Sequence, residues 1–344
     1  MPAGLAHHAH AGATIQQKRV VEYRELRTVR LLNRCASSRV PFAWTINPYR
    51  GCEFGCKYCY ARYTHEFLEY RESEDFERLI FAKSWDAEAF RRELRQVRLG
   101  QWIALGTATD PYQPAERRYA LTCRILEVFA RLTGYNLGIT TKSDLAARDA
   151  GLLAGLSQCN HVRVTLTVTT ADAALARRLE PLAPRPELRF AALRTLSRAG
   201  VQCGVAVSPL MPGINDTPSS IDHVAREAQA AGARYFMGHA VFLKPSAAAV
   251  FLPFLDAEFP RLAGRYRHHF SRWSRIQGEY PERIQTMIRE IRARYGLEGS
   301  SYWQPALEQG ELDFGSPHTA AVDRPGFKIL NKPLHDRQTM HPQP

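Results

Sequence analysis

The feature that most constrains this chain is the stretch of residues 49–60, whose loop carries three cysteines at C-x3-C-x2-C spacing. Cys52, Cys56 and Cys59 are so close in sequence that their side chains cannot move far apart once the loop is buried. Thiolates held this close repel one another unless a metal neutralises them, and a coordinating thiol is deprotonated outright. The spacing therefore predicts a metal ion or a metal cluster in this loop.

The number of cysteines bears on the kind of metal site. A closed structural zinc site, or an iron–sulfur cluster bound entirely by thiolates, takes four protein ligands, whereas this loop supplies three. One coordination position would then stay open for a substrate or a cofactor. A zinc site remains an alternative, because His65 follows six residues after Cys59 and would complete a Cys3His set.

The loop resembles a known family. Its spacing, with Tyr58 directly before the third cysteine, is similar to the C-x3-C-x-aromatic-C loop of the radical S-adenosylmethionine (radical SAM) enzymes. In that family three thiolates hold a [4Fe-4S] cluster, whose fourth iron chelates S-adenosylmethionine, and one electron cleaves the sulfonium to give a 5'-deoxyadenosyl radical. The resemblance implies that Cys52, Cys56 and Cys59 bind the cluster and that Tyr58 lies against the adenine. It also implies an external electron donor such as flavodoxin or ferredoxin.

Downstream of the loop, strand patterns alternate with helical patterns. The predicted strands are residues 42–46, 79–82, 103–106, 136–140, 162–168, 201–207 and 235–242, and the predicted helices between them include 121–132, 186–199 and 221–231. Such alternation indicates βαβ units and a parallel sheet. Since no Rossmann glycine fingerprint is present, the pattern favours an α/β fold built as an incomplete parallel (β/α)6 barrel, which is also the core that the resemblance implies.

Polar loops follow several predicted strands, at the end of the sheet where ligands bind in folds of this kind. We therefore expect these loops to converge on one mouth. Together with the cysteine loop, their motifs resemble the spore photoproduct lyase-like branch of the radical SAM enzymes. The motifs are Thr109-Asp110-Pro111-Tyr112-Gln113-Pro114 with Glu116, Thr141-Lys142-Ser143, Arg178-Leu179-Glu180-Pro181 and Pro212-Gly213.

The resemblance assigns roles to four residues of these loops. It implies that Thr109 and Asp110 occupy the place where related enzymes hold the methionyl amino group, and that Lys142 and Ser143 reach the carboxylate or the ribose. The chain departs from the branch at one point, because no cysteine lies beside the Thr109-Asp110 loop to serve as hydrogen-atom donor. The catalytic donor is therefore left unassigned, and repair of the spore lesion is not expected.

We divide the chain into four segments. Residues 1–28 are predicted to be a flexible N-terminal tail, residues 29–245 the radical SAM core, residues 246–314 a helical C-terminal extension that caps the open side of the barrel, and residues 315–344 an extended or disordered tail. The four cysteines outside the loop are expected to pack as small apolar residues.

Charge and composition bear on partners and location. The chain has 46 Lys and Arg against 34 Asp and Glu, a net charge of +12, which attracts polyanions such as nucleic acid. The same excess is explained equally well by solvated helix faces, because it is spread along the chain. No signal sequence and no run of eighteen apolar residues is present, and an odd number of cysteines fits a reducing compartment, so we expect a cytoplasmic protein.

The resemblance predicts a radical SAM enzyme that abstracts hydrogen from an unknown substrate. A DNA-lesion lyase or nucleic-acid-modifying enzyme of the spore photoproduct lyase type is the alternative that the charge suggests. From another class, the three cysteines and His65 would fit a zinc-stabilised nucleic-acid-binding module without catalysis.

Overall fold

A computed structural model describes residues 4–11, 14–17, 21–37 and 40–299 of the chain. Its strands are β1 (Thr14–Gln17), β2 (Glu22–Leu26), β3 (Leu32–Arg34), β4 (Trp44–Ile46), β5 (Tyr49–Arg50), β6 (Leu79–Lys83), β7 (Trp102–Leu105), β8 (Asn136–Thr141), β9 (His161–Thr167), β10 (Gln202–Ala206) and β11 (Tyr235–Met237). Its helices are α1 (Leu5–Ala11), α2 (Asp75–Arg78), α3 (Ala87–Leu94), α4 (Glu116–Tyr119), α5 (Leu121–Phe129), α6 (Ala150–Leu156), α7 (Ala173–Leu179), α8 (Pro186–Arg198), α9 (Pro218–Ala230), α10 (Pro245–Glu258), α11 (Pro260–Phe270) and α12 (Tyr280–Tyr295). Two 3₁₀ helices cover Tyr60–Leu68 and Asp144–Asp149.

The larger sheet has the strand order β11-β10-β9-β8-β7-β4-β3. The strands from β4 to β11 in this sheet run parallel, and β3 pairs antiparallel with β4 at the edge. The central strands are buried on both faces, because helices on one side and side chains of the barrel interior on the other exclude water. The predicted incomplete (β/α)6 barrel is confirmed.

The predicted strand 79–82 forms β6 but belongs to a second, smaller sheet with the order β1-β2-β6-β5. β6 pairs parallel with β2 and antiparallel with β5, so it is not one of the barrel strands. Apolar periodicity predicts a strand without saying which edge it will pair with. The arrangement matters for the site, since β5 directly precedes the cysteine loop and is fixed by this sheet.

The N-terminal segment is more ordered than the sequence suggested. β2 lies inside the predicted flexible tail of residues 1–28, yet Tyr23 and Leu26 are only 1% and 0% exposed. The prediction of a flexible tail is therefore wrong for β2. A strand this short shows little periodicity of its own, and its order comes from the backbone edge that β6 offers it.

The described part of the segment after β11 is mostly helical. In α12, buried Ile284, Ile288 and Ile291 form an apolar stripe that packs against α9 and β11, and Glu298 hydrogen-bonds along the β11 edge. This helix therefore covers the edge strand. The rest of the predicted extension, from residue 300, and the predicted tail at 315–344 lie outside the described residues. Among the described helices, none is long and apolar enough to cross a membrane.

Candidate functional site

The cysteine loop begins at a glycine that no other residue could replace without strain. Gly51 has φ of 81°, and a Cβ added there would lie 2.7 Å from the Leu79 carbonyl oxygen and 2.8 Å from that of Phe76. The backbone N–H of Cys52 donates to the Phe76 carbonyl at 2.9 Å. The loop is therefore packed closely against the chain that enters β6.

The loop after β7 clamps the cysteine loop from the other side. Thr109 Oγ1 donates to the Gly51 carbonyl at 2.6 Å, and Gln113 Nε2 donates to the same oxygen at 3.0 Å. Gln113 Oε1 accepts from the Glu53 backbone N–H at 3.1 Å. Because Gln113 is fully buried, these bonds fix the loop in a single position. The sequence motif 109–114 therefore acts in part as a support for the cysteines.

All three loop cysteines line one cavity of about 280 Å³. Burial raises the pKa of the Cys52 thiol well above its ordinary value, and the nearby Asp110 carboxylate adds to the effect. Burial also raises the pKa of Cys56 to about 12, although Lys142 opposes it. Three thiols in one cavity, of which Cys52 and Cys56 are buried and Cys59 is half-buried, are poor anions by themselves, so they fit a cationic metal cluster that would compensate their charge.

The other four cysteines lie elsewhere, and all seven are free thiols. Cys203 is buried in the barrel core, as expected for a small apolar residue, whereas Cys159 is exposed, contrary to that expectation. The cysteines that line the cavity therefore all come from the loop.

The cavity lies at the carboxyl ends of the parallel strands, and the predicted convergence of polar loops on one mouth is confirmed. Each barrel strand after β4 contributes residues to the lining of the cavity, at or just beyond its carboxyl end. In strand order these residues are Thr107 and Asp110, Thr141 and Lys142, Thr167, Ser208, and Met237 and His239. Burial lowers the pKa of His239 to about 4, so its imidazole is neutral at physiological pH.

A buried ion pair between Glu180 and Arg189 holds the Tyr58 side chain in place. The Tyr58 hydroxyl donates to the Glu180 carboxylate, which also accepts from Thr169 Oγ1 at 2.6 Å and lies 2.5 Å from Arg189 Nη2. Burial acts to raise the pKa of Glu180, but Arg189 and Lys142 outweigh it, so the pKa is lowered and the carboxylate is charged. From the sequence, Glu180 was named only as part of a motif and was given no role. Arg189 was not singled out, because the sequence pattern of an amphipathic helix does not distinguish a buried arginine from an exposed one.

Asp110 ties two of the strand-end loops together. Its Oδ1 accepts from Thr141 Oγ1 at 2.6 Å and from the Tyr112 backbone N–H at 2.9 Å, and its Oδ2 accepts from the Lys142 backbone N–H at 2.7 Å. Burial raises the pKa of Asp110 even though these bonds oppose the shift. The carboxylate lines the cavity, and it is also the joint between the loops after β7 and β8.

Of the predicted cofactor contacts, Tyr58, Thr109, Asp110 and Lys142 line the cavity, but Ser143 does not. Ser143 Oγ accepts from the Leu145 backbone N–H at 3.2 Å and caps the following 3₁₀ helix. Neighbouring residues of an extended chain point to opposite sides, so Lys142 faces inward and Ser143 faces outward. The predicted contact of Ser143 with the carboxylate or ribose is not supported by this placement.

Glu116, which belongs to the sequence motif, is a fully buried anchor outside the cavity. It accepts from the Tyr49 hydroxyl at 2.6 Å, from the backbone N–H groups of Thr122 and Cys123 at 2.9 and 3.1 Å, and from Arg148 Nη2 at 3.0 Å. It therefore joins β5, just before the cysteine loop, to the first turn of α5.

His65 is not placed as a fourth metal ligand. It does not line the cavity; its Nε2 lies 3.0 Å from the Leu79 carbonyl oxygen and its ring packs among Tyr70, Phe76 and Phe81. Within the described residues, no group of three His, Cys, Asp or Glu side chains is placed to hold a metal ion.

Comparison with known proteins gives one family and several relatives. The model of the Radical SAM superfamily matches residues 46–228. An uncharacterized protein of Mycobacterium tuberculosis strain H37Rv is 34% identical over 280 residues, which cover 80% of this chain and 81% of that protein. An uncharacterized protein of Methanocaldococcus jannaschii is 28% identical over 229 residues, covering 65% and 79%.

Among solved structures, the fold is similar to that of spore photoproduct lyase. The structure complexed with dinucleoside spore photoproduct superposes with a TM-score of 0.56 at 14% identity, covering 79% of each chain. A double mutant of that enzyme with bound AdoMet and dinucleoside spore photoproduct gives a TM-score of 0.55 at 13% identity, again covering 79% of each chain. At this level of identity the likeness concerns the fold.

Proposed function

The chain belongs to the radical SAM superfamily, and from this premise we propose that Cys52, Cys56 and Cys59 hold a [4Fe-4S] cluster with one iron open to S-adenosylmethionine. The observation that carries the proposal is that these three thiols, and no other cysteine, line one buried cavity at the carboxyl ends of the barrel strands. When bound, the cluster and S-adenosylmethionine would supply a 5'-deoxyadenosyl radical that abstracts hydrogen from the substrate.

The chain's own residues provide a loop that needs little rearrangement to bind the cluster. Thr109 and Gln113 hold Gly51 at its start, and Glu180 holds Tyr58 near its end. A site whose supporting groups are already hydrogen-bonded loses little entropy on binding. This pre-organisation supports the proposed cluster site.

Lys142 is the residue we assign to the carboxylate of S-adenosylmethionine. Burial acts to lower the pKa of Lys142, but the neighbouring Cys56 and Glu180 raise it by more, so the ammonium is charged. It lies 5.6 Å from the centroid of the Tyr58 ring, the surface that we assign to the adenine. A compact ammonium on a flexible stem suits a carboxylate. Thr109 and Asp110 already hold neighbouring loops, so we assign them first to positioning and second to the methionyl amino group.

The cavity is also suited to radical chemistry by the character of its walls. Its lining is mostly apolar, with Phe54, Phe76 and Ala206 among the residues that enclose it. A primary alkyl radical made in a closed pocket reacts with the bound substrate rather than with solvent or protein at large.

The proposed cluster requires an electron from a carrier such as flavodoxin or ferredoxin, and we propose that the enzyme works in the cytoplasm.

A nucleic-acid substrate is the second candidate, and the cavity mouth favours it. Lys244 Nζ lies 3.7 Å from the centroid of the Tyr63 ring, and the Arg275 guanidinium lies 5.6 Å from that of Phe242, which contacts Tyr60 at a centroid distance of 4.9 Å. Basic groups interleaved with aromatic rings can contact phosphates and stack on bases. Spore photoproduct lyase, which has a similar fold, has been determined with a dinucleoside lesion.

This second candidate is tested by binding of a fluorescent oligonucleotide at several salt concentrations. Double substitution Lys244→Ala and Arg275→Ala should weaken binding and reduce the slope of log K against log salt by about one unit for each lost phosphate contact. Binding that is unchanged in the variant would remove nucleic acid as a ligand of the mouth. The zinc-stabilised module finds less support, because His65 lies outside the cavity.

The primary proposal is tested by anaerobic reconstitution with analysis of iron, sulfide and zinc. We expect about four irons and four sulfides per chain, their loss in Cys56→Ala, and their retention in the matched control Cys203→Ala. Release of 5'-deoxyadenosine after reduction in the presence of S-adenosylmethionine would then show radical chemistry. One zinc per chain without colour would contradict the proposal and favour the zinc-stabilised module.

A further inference from the structure

A groove on the outer side of the cysteine loop is separate from the cavity. We call it the outer groove; it is lined by Phe54, Arg117, Arg177, Leu182, Arg185 and Leu188, among others. It is formed where the cysteine loop, α4 and the chain between α7 and α8 meet.

Only one layer of residues separates the outer groove from the cysteine cavity. Phe54 lines both the cavity and the outer groove. Lys142 lines the cavity, while its neighbour Ser143 lines the groove. The backbone N–H of Leu182 donates to the Phe54 carbonyl at 3.2 Å, so the groove wall is bonded directly to the loop between Cys52 and Cys56. The outer groove is therefore the part of the surface behind the cysteines.

The surface of the outer groove is basic with an exposed apolar centre. Arg117, Arg177 and Arg185 are exposed, and none of the three forms an ion pair within the described part of the chain. Leu182 and Leu188 are 62% and 48% exposed, which is unusual for large apolar side chains on one face. Asp144, half-buried, is the one acidic residue of its lining.

We propose that the outer groove docks an acidic one-electron carrier protein, which reduces the cluster through the cysteine loop. This inference rests on the proposed function. The three arginines would steer a negatively charged partner and the two leucines would form the small apolar centre of a transient interface. One electron passes from the reduced carrier to the cluster, the carrier is oxidised by one electron, and no atom is transferred.

The same features favour a protein over a nucleic acid at this surface. Single-stranded nucleic acid is bound by aromatic side chains on which bases stack, and the exposed apolar side chains of the outer groove are leucines. The aromatic and basic residues Tyr63, Lys244 and Arg275 line the cavity instead of the outer groove. A carrier at the outer groove would thus leave the mouth open to the substrate.

The first test measures binding of oxidised flavodoxin, and separately of ferredoxin, to the full chain without reconstitution. The triple variant Arg117→Glu, Arg177→Glu, Arg185→Glu should raise the Kd of the carrier about tenfold or more. The matched control Arg92→Glu, Arg95→Glu, Arg98→Glu, at exposed positions on and just after α3, should leave the Kd within about twofold. Circular dichroism confirms that both variants fold. Unchanged carrier binding in the groove variant, or no binding by the native chain, overturns the proposal.

The second test separates this proposal from the proposed function. In the reconstituted enzyme, the groove variant should form 5'-deoxyadenosine at the native rate with dithionite and about tenfold more slowly with reduced flavodoxin. If the groove variant formed 5'-deoxyadenosine slowly with dithionite as well as with reduced flavodoxin, while its affinity for the carrier was unchanged, docking at the groove would be contradicted. A weakened affinity for oligonucleotide with unchanged affinity for the carrier would assign the groove to nucleic acid and also overturn the proposal. Failure to form a cluster would contradict the proposed function, while the binding test would still report on the groove.

Discussion

The Arg189 guanidinium lies 2.5 Å from the Glu180 carboxylate, and both side chains are almost fully excluded from solvent. Glu180 also accepts hydrogen bonds from Tyr58 and Thr169, so the pair connects α8 to the residue before the third cysteine. Removing one partner of a buried pair leaves the other charge without compensation in a medium of low polarity. The pair is therefore a sensitive point for both the fold and the cysteine loop.

Replacing Arg189 should destabilise the chain far more than replacing an exposed arginine. We expect Arg189→Met to lower the free energy of unfolding by about 3–5 kcal/mol, because it leaves the Glu180 carboxylate buried and unpaired. The control Arg178→Ala breaks an exposed pair with Glu258 and should cost about 1 kcal/mol or less. Urea unfolding of the cofactor-free chain measures both. Equal losses of unfolding free energy in the two variants would show that the buried pair stabilises the fold no more than an exposed pair does.

Gly106, directly after β7, should not tolerate a side chain. Its φ is 93°, and an added Cβ would lie 2.6 Å from the Thr140 carbonyl oxygen and 2.7 Å from Pro111 Cδ. Gly100 has a similar φ of 82° with nothing within 4 Å, so Gly100→Ala measures the backbone strain alone. We expect a loss of about 1–2 kcal/mol for Gly100→Ala and a clearly larger loss for Gly106→Ala, measured by chemical unfolding. A similar loss in both would mean that the loop shifts to make room.

The parts of this molecule that the sequence predicted are those encoded locally. The spacing of Cys52, Cys56 and Cys59 placed the thiols in one cavity because a short loop has little freedom to separate them. The barrel strands were recognised from buried β-branched runs such as β9, and their polar ends converge because parallel strands finish at the same edge.

The parts that escaped prediction depend on distant neighbours. β2 is ordered by the edge of β6, a partner about fifty-seven residues away at Glu22↔Leu79, and nothing in its own pattern reveals this. Arg189 reads as a solvated residue until α8 is docked over Glu180. Ser143 was expected at the cavity because the family resemblance assigned it a role together with Lys142, although adjacent side chains of an extended segment diverge. The direction in which a side chain points and the partner with which a strand pairs are decided by packing, whereas the local sequence indicates whether a segment is a helix or a strand.

Thr109 should stabilise the chain even without a cofactor. Its hydroxyl donates to the Gly51 carbonyl at 2.6 Å and accepts from Gln113 at 2.9 Å, so Thr109→Val would remove both of these buried hydrogen bonds and leave Gln113 as the one side chain that donates to the Gly51 carbonyl. We expect Thr109→Val to cost about 1–3 kcal/mol, and Thr109→Ser, which keeps the hydroxyl, to cost less. Thermal unfolding of the cofactor-free chain distinguishes them. If Thr109→Val were as stable as the native chain, a role toward S-adenosylmethionine alone would be the better assignment.

His65 should make the fold sensitive to mild acid. Burial lowers the pKa of His65 to about 4, whereas an unfolded histidine titrates near 6.5. Between these pH values the unfolded chain binds a proton that the folded chain does not, so stability falls as pH decreases from about 6.5 to about 4. The native chain should lose up to about 3 kcal/mol more than His65→Gln across this range.

Urea midpoints at several pH values between 7 and 4 measure this difference. The variant His223→Gln, at an exposed histidine, serves as the control. Parallel curves for the native chain and His65→Gln would mean that the imidazole is protonated in the folded state, contrary to its burial among Tyr70, Phe76 and Phe81.

Lys142 offers the most direct test of how S-adenosylmethionine is bound. Lys142→Met keeps most of the side-chain volume and removes the ammonium, so the reconstituted enzyme should bind S-adenosylmethionine about tenfold more weakly or worse, with its iron content unchanged. The matched variant Ser143→Ala, whose side chain faces the outer groove, should bind S-adenosylmethionine like the native enzyme. Equilibrium dialysis with labelled S-adenosylmethionine measures both. If affinity fell in Ser143→Ala and not in Lys142→Met, the inward and outward assignments of these two neighbours would have to be exchanged.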